Sequence, residues 1–101
     1  MDLTVGSRWR SAVDDTEVVV VKSPTSAVDL ECGGPPMVPA STPSPGLPLA
    51  EGLRDGTQLG KRYVDDAAAI EVLCTKPGEG SLAVSGRPLV LKEAKPLPSS
   101  D

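Results

Sequence analysis

Hydrophobic and polar positions alternate with the period of β-strands in two separate parts of the chain. Residues 17–22, EVVVVK, are a β-branched run between charges, which predicts a strand buried on both faces or nearly so. Residues 28–32, VDLEC, alternate strictly, so Val28, Leu30 and Cys32 share one face. A Ser-Pro-Thr-Ser turn separates the two segments, and we expect them to form a hairpin.

The same pattern returns after a segment of different composition. Residues 70–76 predict a second long strand, residues 81–85 alternate again, and residues 89–91 predict a short third strand. Between the patterned parts, residues 40–58 are rich in Pro, Ser and Gly, which is typical of a linker or a loose surface loop. Residues 95–101 predict a flexible tail. The fold class that this pattern predicts is all-β.

The two patterned parts can be aligned with each other, as expected for a duplicated unit. Residues 6–37 match residues 60–89 with an offset of 54 positions before the predicted hairpin turn and 52 after it. Gly, Arg, aromatic, Glu, Lys and Pro positions agree as well as apolar ones, which favours a repeat over a chance likeness of two valine-rich hairpins. We expect two pseudo-symmetric β-ribbon repeats, 1–39 and 59–94, packed on one shared core.

Composition and charge restrict the function. The chain has 101 residues, a net charge of −4 and no His. An acidic balance disfavours nucleic acid and anionic membranes as partners, because both require a basic surface. The apolar run at residues 18–21, which no other run in the chain exceeds, is far shorter than a transmembrane span, and the N-terminal sequence lacks the apolar stretch of a signal peptide. We therefore expect a cytoplasmic protein whose two cysteines are reduced.

Few residues of the chain are candidates for a catalytic role. Without His, the commonest general base and the commonest metal-ligating side chain are both missing. No nucleophile and base converge in the sequence pattern, so we expect neither an enzyme nor a bound cofactor.

The opening and the end of the first repeat carry a recognisable motif. Gly6 and Trp9 precede the first turn, and residues 30–37 read LECGGPPM. This arrangement resembles the desulforedoxin-like iron-binding ribbon, also found at the N-terminus of desulfoferrodoxins. That family has Gly, an aromatic residue, Cys-x-x-Cys-Gly, a hairpin and then Leu-x-Cys-Cys-Gly-x-x-Met. The resemblance implies a rubredoxin-type ribbon fold.

The resemblance also identifies the positions of the family's four iron ligands, and only one of them keeps a thiol. In the first repeat these positions are Ser11, Asp14, Cys32 and Gly33; in the second repeat they are Asp65, Ala68, Val84 and Ser85. A tetrahedral sulfur site requires thiolate donors, so the resemblance implies the fold and argues against the family's electron transfer. A second ribbon packed against the first, as in the family's homodimer, would replace the stability that a metal contributes.

For the two cysteines and the paired carboxylates, the sequence is consistent with either a structural or a functional role. Cys32 is a relic ligand, a reactive thiol or, as we favour, a small hydrophobic residue of the core, and core packing is favoured more strongly for Cys74. The carboxylate pairs at 14–15 and 65–66 can serve as a hard-metal site or an acid/base couple, although solvated turn residues are commoner in such places.

Cations beside aromatic residues are the candidates for partner binding. These candidates are Arg8, Trp9, Arg10, Arg62 and Tyr63. Trp, Tyr and Arg dominate binding hot spots, but the favoured alternative is that each aromatic ring caps the core while its flanking cations stay in water.

The function that this sequence favours is a non-catalytic interaction or accessory module on a metal-free scaffold. The expected partner is another protein or a second copy of the chain, since small open sheets expose edge strands. The alternative is a small rubredoxin-like metal-binding or redox protein, in which Cys32 and carboxylates complete an unusual site.

Overall fold

Residues 1–92 form a pair of antiparallel β-sheets built from nine short strands. The computed structural model describes residues 1–92, so the predicted tail at 95–101 lies outside the described residues. The strands are β1 (Arg8–Arg10), β2 (Glu17–Lys22), β3 (Leu30–Cys32), β4 (Val38–Pro39), β5 (Arg62–Asp65), β6 (Ile70–Lys76), β7 (Leu82–Val84), β8 (Arg87–Pro88) and β9 (Val90–Leu91). One sheet has the order β4-β1-β2-β6-β5-β9 and the other β3-β7-β8. The all-β prediction is confirmed, and residues 1–92 contain no helix able to cross a membrane.

The predicted hairpin of residues 17–22 with 28–32 is wrong, because these strands lie in different sheets. Strand β2 pairs with β1 and β6, whereas β3 pairs with β7. The residues between β2 and β3 are too many for a two-residue turn, and they carry the chain from one sheet to the other. The hairpins that form are β1–β2, β5–β6 and β7–β8.

The outer face of β2 is less covered than the apolar run predicts. Val18 and Val20 are fully buried, while Val19 and Val21 are only half-buried. The smaller sheet supplies β3 and β7 to the same apolar core that contains Val18 and Val20, and among residues 1–92 no strand packs on the opposite face of the larger sheet. The prediction that β2 is buried on both faces or nearly so therefore holds fully for one face, and the other face is half-buried.

Each half of the chain pairs its first two strands in the same register. Trp9 pairs with Val18 in β1–β2, and Tyr63 pairs with Val72 in β5–β6, in both cases 54 positions later. The hydrogen bonds that flank these hairpins agree too: the N–H of residue 6 donates to the carbonyl of residue 20 at 2.8 Å, and that of residue 60 to residue 74 at 2.9 Å. The two hairpins have the same strand pairing.

The halves meet in a two-fold arrangement of strands. Where β2 pairs with β6, Val19 faces its equivalent Leu73, and where β3 pairs with β7, Glu31 faces its equivalent Ala83. The other residue pairs of β2–β6 and β3–β7 are arranged symmetrically about these two. Both sheets therefore contain strands from both halves. One cluster of buried residues forms the core, and its members are Leu3, Val18, Val20, Leu30, Cys32, Met37, Tyr63, Ala68, Ile70, Val72, Cys74, Leu82, Val84 and Leu89.

The segment 40–58, predicted as a linker or loose loop, is irregular but bound along its length. It contains no strand or helix. Its backbone hydrogen bonds to the two halves include Leu47 N–H to Ala12 O (2.7 Å), Ala50 N–H to Gly33 O (2.8 Å), Ser81 N–H to Leu53 O (3.0 Å) and Thr57 N–H to Gly78 O (3.0 Å). The segment thus crosses from the first half to the second and fastens to each.

Candidate functional site

The four ligand-equivalent positions of the first half lie together, and we call them the ligand corner. Ser11 and Asp14 come from the β1–β2 turn, while Cys32 and Gly33 come from the end of β3. The N–H of Asp14 donates to Ser11 Oγ at 3.2 Å. The Ser11 hydroxyl lowers the pKa of the Cys32 thiol and the Asp14 charge raises it, so both groups lie near that thiol. Ser11 and Cys32 are fully buried and Asp14 is half-buried.

Ser11 stabilises the β1–β2 turn by hydrogen bonds to other residues of the turn. Its Oγ accepts the N–H groups of Val13 (3.0 Å) and Asp14 (3.2 Å), and its own N–H donates to the carbonyl of Thr16 at 2.8 Å. These bonds use the hydroxyl oxygen as an acceptor for two backbone donors of the turn.

The Asp14 carboxylate joins the two halves of the molecule. Oδ1 accepts the N–H of Thr16 at 3.0 Å, and Oδ2 accepts the N–H groups of Glu79 at 2.8 Å and Gly80 at 2.7 Å. Burial alone raises the pKa of Asp14, but the hydrogen bonds from Thr16, Gly80 and Ser11 outweigh it and hold the pKa below its ordinary value. Asp14 is therefore a charged cross-half link, whereas its neighbour Asp15 is an exposed turn residue.

The Cys32 thiol is buried and protonated at neutral pH. Burial raises its pKa to about 11, and the hydroxyl of Ser11 acts in the opposite direction without reversing this. Burial also raises the pKa of the Cys74 thiol, and both cysteines are free. A thiol is a good nucleophile or metal ligand only as its thiolate, so Cys32 and Cys74 pack here as small apolar side chains.

The ligand corner does not fit an iron–thiolate centre. Its donors are a hydroxyl and a carboxylate already bound to backbone N–H groups, one protonated thiol and a glycine. Within residues 1–92, no group of three or more His, Cys, Asp or Glu side chains is placed to hold a metal ion. The soft tetrahedral donor set that iron or zinc takes from cysteines is not present.

The equivalent corner of the second half is also closed by internal contacts. Asp65 Oδ2 accepts the N–H of Ala68 at 2.9 Å and forms an ion pair with Arg87 at 3.0 Å. The hydrogen bond from Arg87 is the main cause that lowers the pKa of Asp65. Val84 is buried in the core and Ser85 lies in the β7–β8 turn, where its φ is +45°.

The partner-binding candidates divide between the two faces of the larger sheet. The aromatic residues lie on the core side: Tyr63 is buried and its Oη accepts the N–H of Gln58 at 2.9 Å, while Trp9 is half-buried against the core. Arg8 and Arg62 stand opposite Val19 and Leu73 on the other side, and both are exposed. A further cation, Arg10, donates to the carbonyl of Thr42 at 3.2 Å.

The sequence reasoning missed Glu71. This residue is 2 % exposed, and its carboxylate pairs with Arg62 Nη1 at 3.1 Å and Lys92 Nζ at 2.9 Å. The hydrogen bond from Lys92 is the main cause that lowers the pKa of Glu71. Side chains alternate along β6, so Glu71 lies on the outer face of the sheet and Val72 on the core face. The partners of Glu71 could be identified only from the pairing of β5 with β6 and β9.

Comparison of the chain with protein-family models, with curated proteins and with solved structures gives no match. The likeness to the desulforedoxin-like ribbon accordingly rests on the residues of this chain alone.

Proposed function

We propose that this chain is a non-catalytic interaction module built on a duplicated, metal-free desulforedoxin-like ribbon. The observation that carries this proposal is the hydrogen bonding of the Asp14 carboxylate. Asp14 occupies one of the metal-ligand positions of the family that the first half resembles. Its carboxylate accepts three backbone N–H groups, two of them from the other half. A fully hydrogen-bonded carboxylate and a buried thiol with a raised pKa are also poor candidates for general base and nucleophile.

Equal strand registers support the duplication. The pairs Trp9–Val18 and Tyr63–Val72 are equivalent, and so are the short bonds that follow, Met37 N–H to residue 30 and Leu89 N–H to residue 82. A ribbon of this size usually requires a metal or a partner to fold, and a structural metal contributes on the order of 10 kcal/mol. Here the second half completes both sheets and the core.

The surface that we assign to partner binding is the outer face of the larger sheet, meaning the side that carries Arg8, Val19, Leu73 and Arg62. Those four residues follow one another across β1, β2, β6 and β5 in a single row. The two aliphatic residues are half-buried and the two arginines are exposed. Arginine beside apolar area, with backbone groups already paired in the sheet, is typical of protein interfaces.

We expect protein purified without chelators to contain far less than one equivalent of iron or zinc. The physical reason is the donor set of the ligand corner, in which the Cys32 thiol keeps its proton until about pH 11. Metal content is measured by plasma mass spectrometry, with Co²⁺ added as a spectroscopic probe of thiolate ligation. Cys32→Ser is the control and should leave the spectrum unchanged. Near-stoichiometric metal that disappears in this variant would overturn the metal-free proposal.

We propose that a second copy pairs with the outer edge of β9. Among residues 1–92 the larger sheet ends in β4 and β9, and Pro39 in β4 has no N–H to donate, which protects that edge. Strand β9 has no proline, and its residues Val90 and Leu91 are 59 % and 38 % exposed. Antiparallel pairing of two β9 strands would place the apolar side chains beside those of the second copy and cover part of their exposed area.

Sedimentation velocity is expected to show a concentration-dependent dimer that Val90→Lys weakens by at least tenfold. A charge at this position opposes edge pairing by like-charge repulsion across the two-fold. Val5→Lys is the matched control, because Val5 is 66 % exposed and lies outside the strands. A monomer at all concentrations, or an equal effect of Val5→Lys, would exclude association through β9.

A further inference from the structure

A trough of about 880 Å³ lies on the outer face of the second half. It runs along β5 and β6, from Gly60 at one end to Asp66 and Ala69 at the other. Gly60 and Asp66 are separated by an extended stretch that contains β5, so the trough is at most about 20 Å long between its ends. This length and volume suit a short extended segment of polypeptide or a ligand of similar size.

The trough has an excess of positive charge although the chain as a whole carries −4. Its charged residues are the cations Lys22, Lys61, Arg62 and Lys92 and the carboxylates Asp65, Asp66 and Glu71. The carboxylate of Asp65 is paired with Arg87, which is not part of the lining. Within residues 1–92, Lys22 and Lys61 take part in no ion pair. Two lysines are thus available to an anionic ligand.

Glu71 holds the other two cations in place. One oxygen of its carboxylate binds Arg62 and the other binds Lys92, at 3.1 and 2.9 Å. A guanidinium has five N–H donors and an ammonium has three, so each head group keeps donors for a further carboxylate. Because the two side chains are already ordered, a ligand that binds them loses less conformational entropy on binding.

The positions equivalent to two of these lysines in the first half carry no lysine, although the backbone pairing there is the same. By the 54- and 52-residue offsets, Lys61 corresponds to Ser7 and Lys92 to Ala40. The backbone bonds are the same: Lys92 N–H donates to Arg62 O at 2.8 Å, and Ala40 N–H donates to Arg8 O at 3.0 Å. The backbone pairing at these positions therefore does not itself require a lysine side chain.

We propose that the trough binds an acidic linear segment of a partner protein, with carboxylates on alternate residues. The proposal rests on the proposed function for the choice of a protein partner. In an extended segment, alternate side chains point the same way and lie about 7 Å apart, so successive carboxylates reach different cations of the trough. Asp66 lies at the far end, where its charge disfavours a further acidic residue and sets the direction of the bound segment.

Binding is tested on the full chain with a blocked hexapeptide that alternates Glu and Thr, by calorimetry at low salt. The double variant Lys61→Ser, Lys92→Ala, which installs the residues of the first half, is expected to lose at least tenfold in affinity. Arg54→Ala is the matched control, because Arg54 is an exposed cation outside the trough and should have no effect. Thermal unfolding verifies that each variant is folded.

Three results would overturn the proposal. Equal affinity for a peptide with Gln in place of Glu would exclude charge recognition, and full binding by the double variant would exclude the trough. Citrate that binds at these lysines while the peptide does not would assign the trough to small anions. A failure of the metal or β9 experiments would leave these three outcomes unchanged, so the proposed function and the trough fail separately.

Discussion

Asp14→Ala is expected to lower the free energy of unfolding by about 3 kcal/mol. The substitution leaves the N–H groups of Thr16, Glu79 and Gly80 without their acceptor, and Thr16 and Gly80 are buried. A buried donor without a partner costs about 1–3 kcal/mol, while the exposed Glu79 can bind water. Chemical denaturation measures the change. The neighbouring exposed variant Asp15→Ala is the control, with an expected change below about 0.5 kcal/mol.

The same carboxylate predicts how stability depends on pH. Because the pKa of Asp14 in the folded protein lies below its ordinary value of 3.8, its contribution is complete above that value and is lost as the pH falls through the folded pKa. Wild type should therefore lose stability more steeply than Asp14→Ala below about pH 4. The lowered pKa values of Asp65 and Glu71 contribute equally to both proteins, so the difference isolates Asp14. Parallel acid titrations of the two proteins would contradict the cross-half link.

Gly80→Ala is expected to destabilise the fold by about 3 kcal/mol through steric overlap. Gly80 is buried, and an added Cβ would lie 2.9 Å from Cys32 Sγ and 3.0 Å from the backbone nitrogen of Gly33. The backbone atom cannot turn away as the end of a long side chain can, so the loop 77–81 and the end of β3 must separate. Equilibrium denaturation gives the size of the effect, and Cys32→Ala in the same chain should restore only part of it.

Gly46→Ala is the matched control for this substitution. Gly46 has a φ of +67° and nothing within 4 Å of an added Cβ, so it tests the cost of a left-handed backbone alone, about 1 kcal/mol. Gly80 has no positive φ, so its substitution tests close contact alone. Equal losses for the two variants would show that the contact between the ligand corner and the loop 77–81 is not tight.

Together these two experiments examine one junction between the halves. Asp14 contributes hydrogen bonds and charge, while Gly80 contributes the close approach that those bonds require. The resemblance proposed for the first half would place a metal between the same two turns of one ribbon. Here we infer that the ligand corner instead fastens the first half to the second.

The residues of the candidate site were predictable to different degrees. The burial of Cys32 followed from its alternation with Val28 and Leu30, since side-chain direction in a strand has a period of two. The role of Asp14 did not follow, because its partners are backbone N–H groups of residues 79 and 80, and any residue type presents those groups. Glu71 was missed for a similar reason, since its pairing with Lys92 depends on strand β9 lying next to β5.

By itself, the sequence determined that the chain is all-β, where its long strands lie and which offset relates its two patterned parts. These properties depend on local alternation and turn residues, which act over a few positions. Only the tertiary structure decided that β2 and β3 lie in different sheets, that the segment 40–58 is bound to both halves and that both sheets contain strands of both halves. The physical reason is that an apolar strand face requires burial but does not specify which other face covers it, so strand partners depend on packing between distant residues.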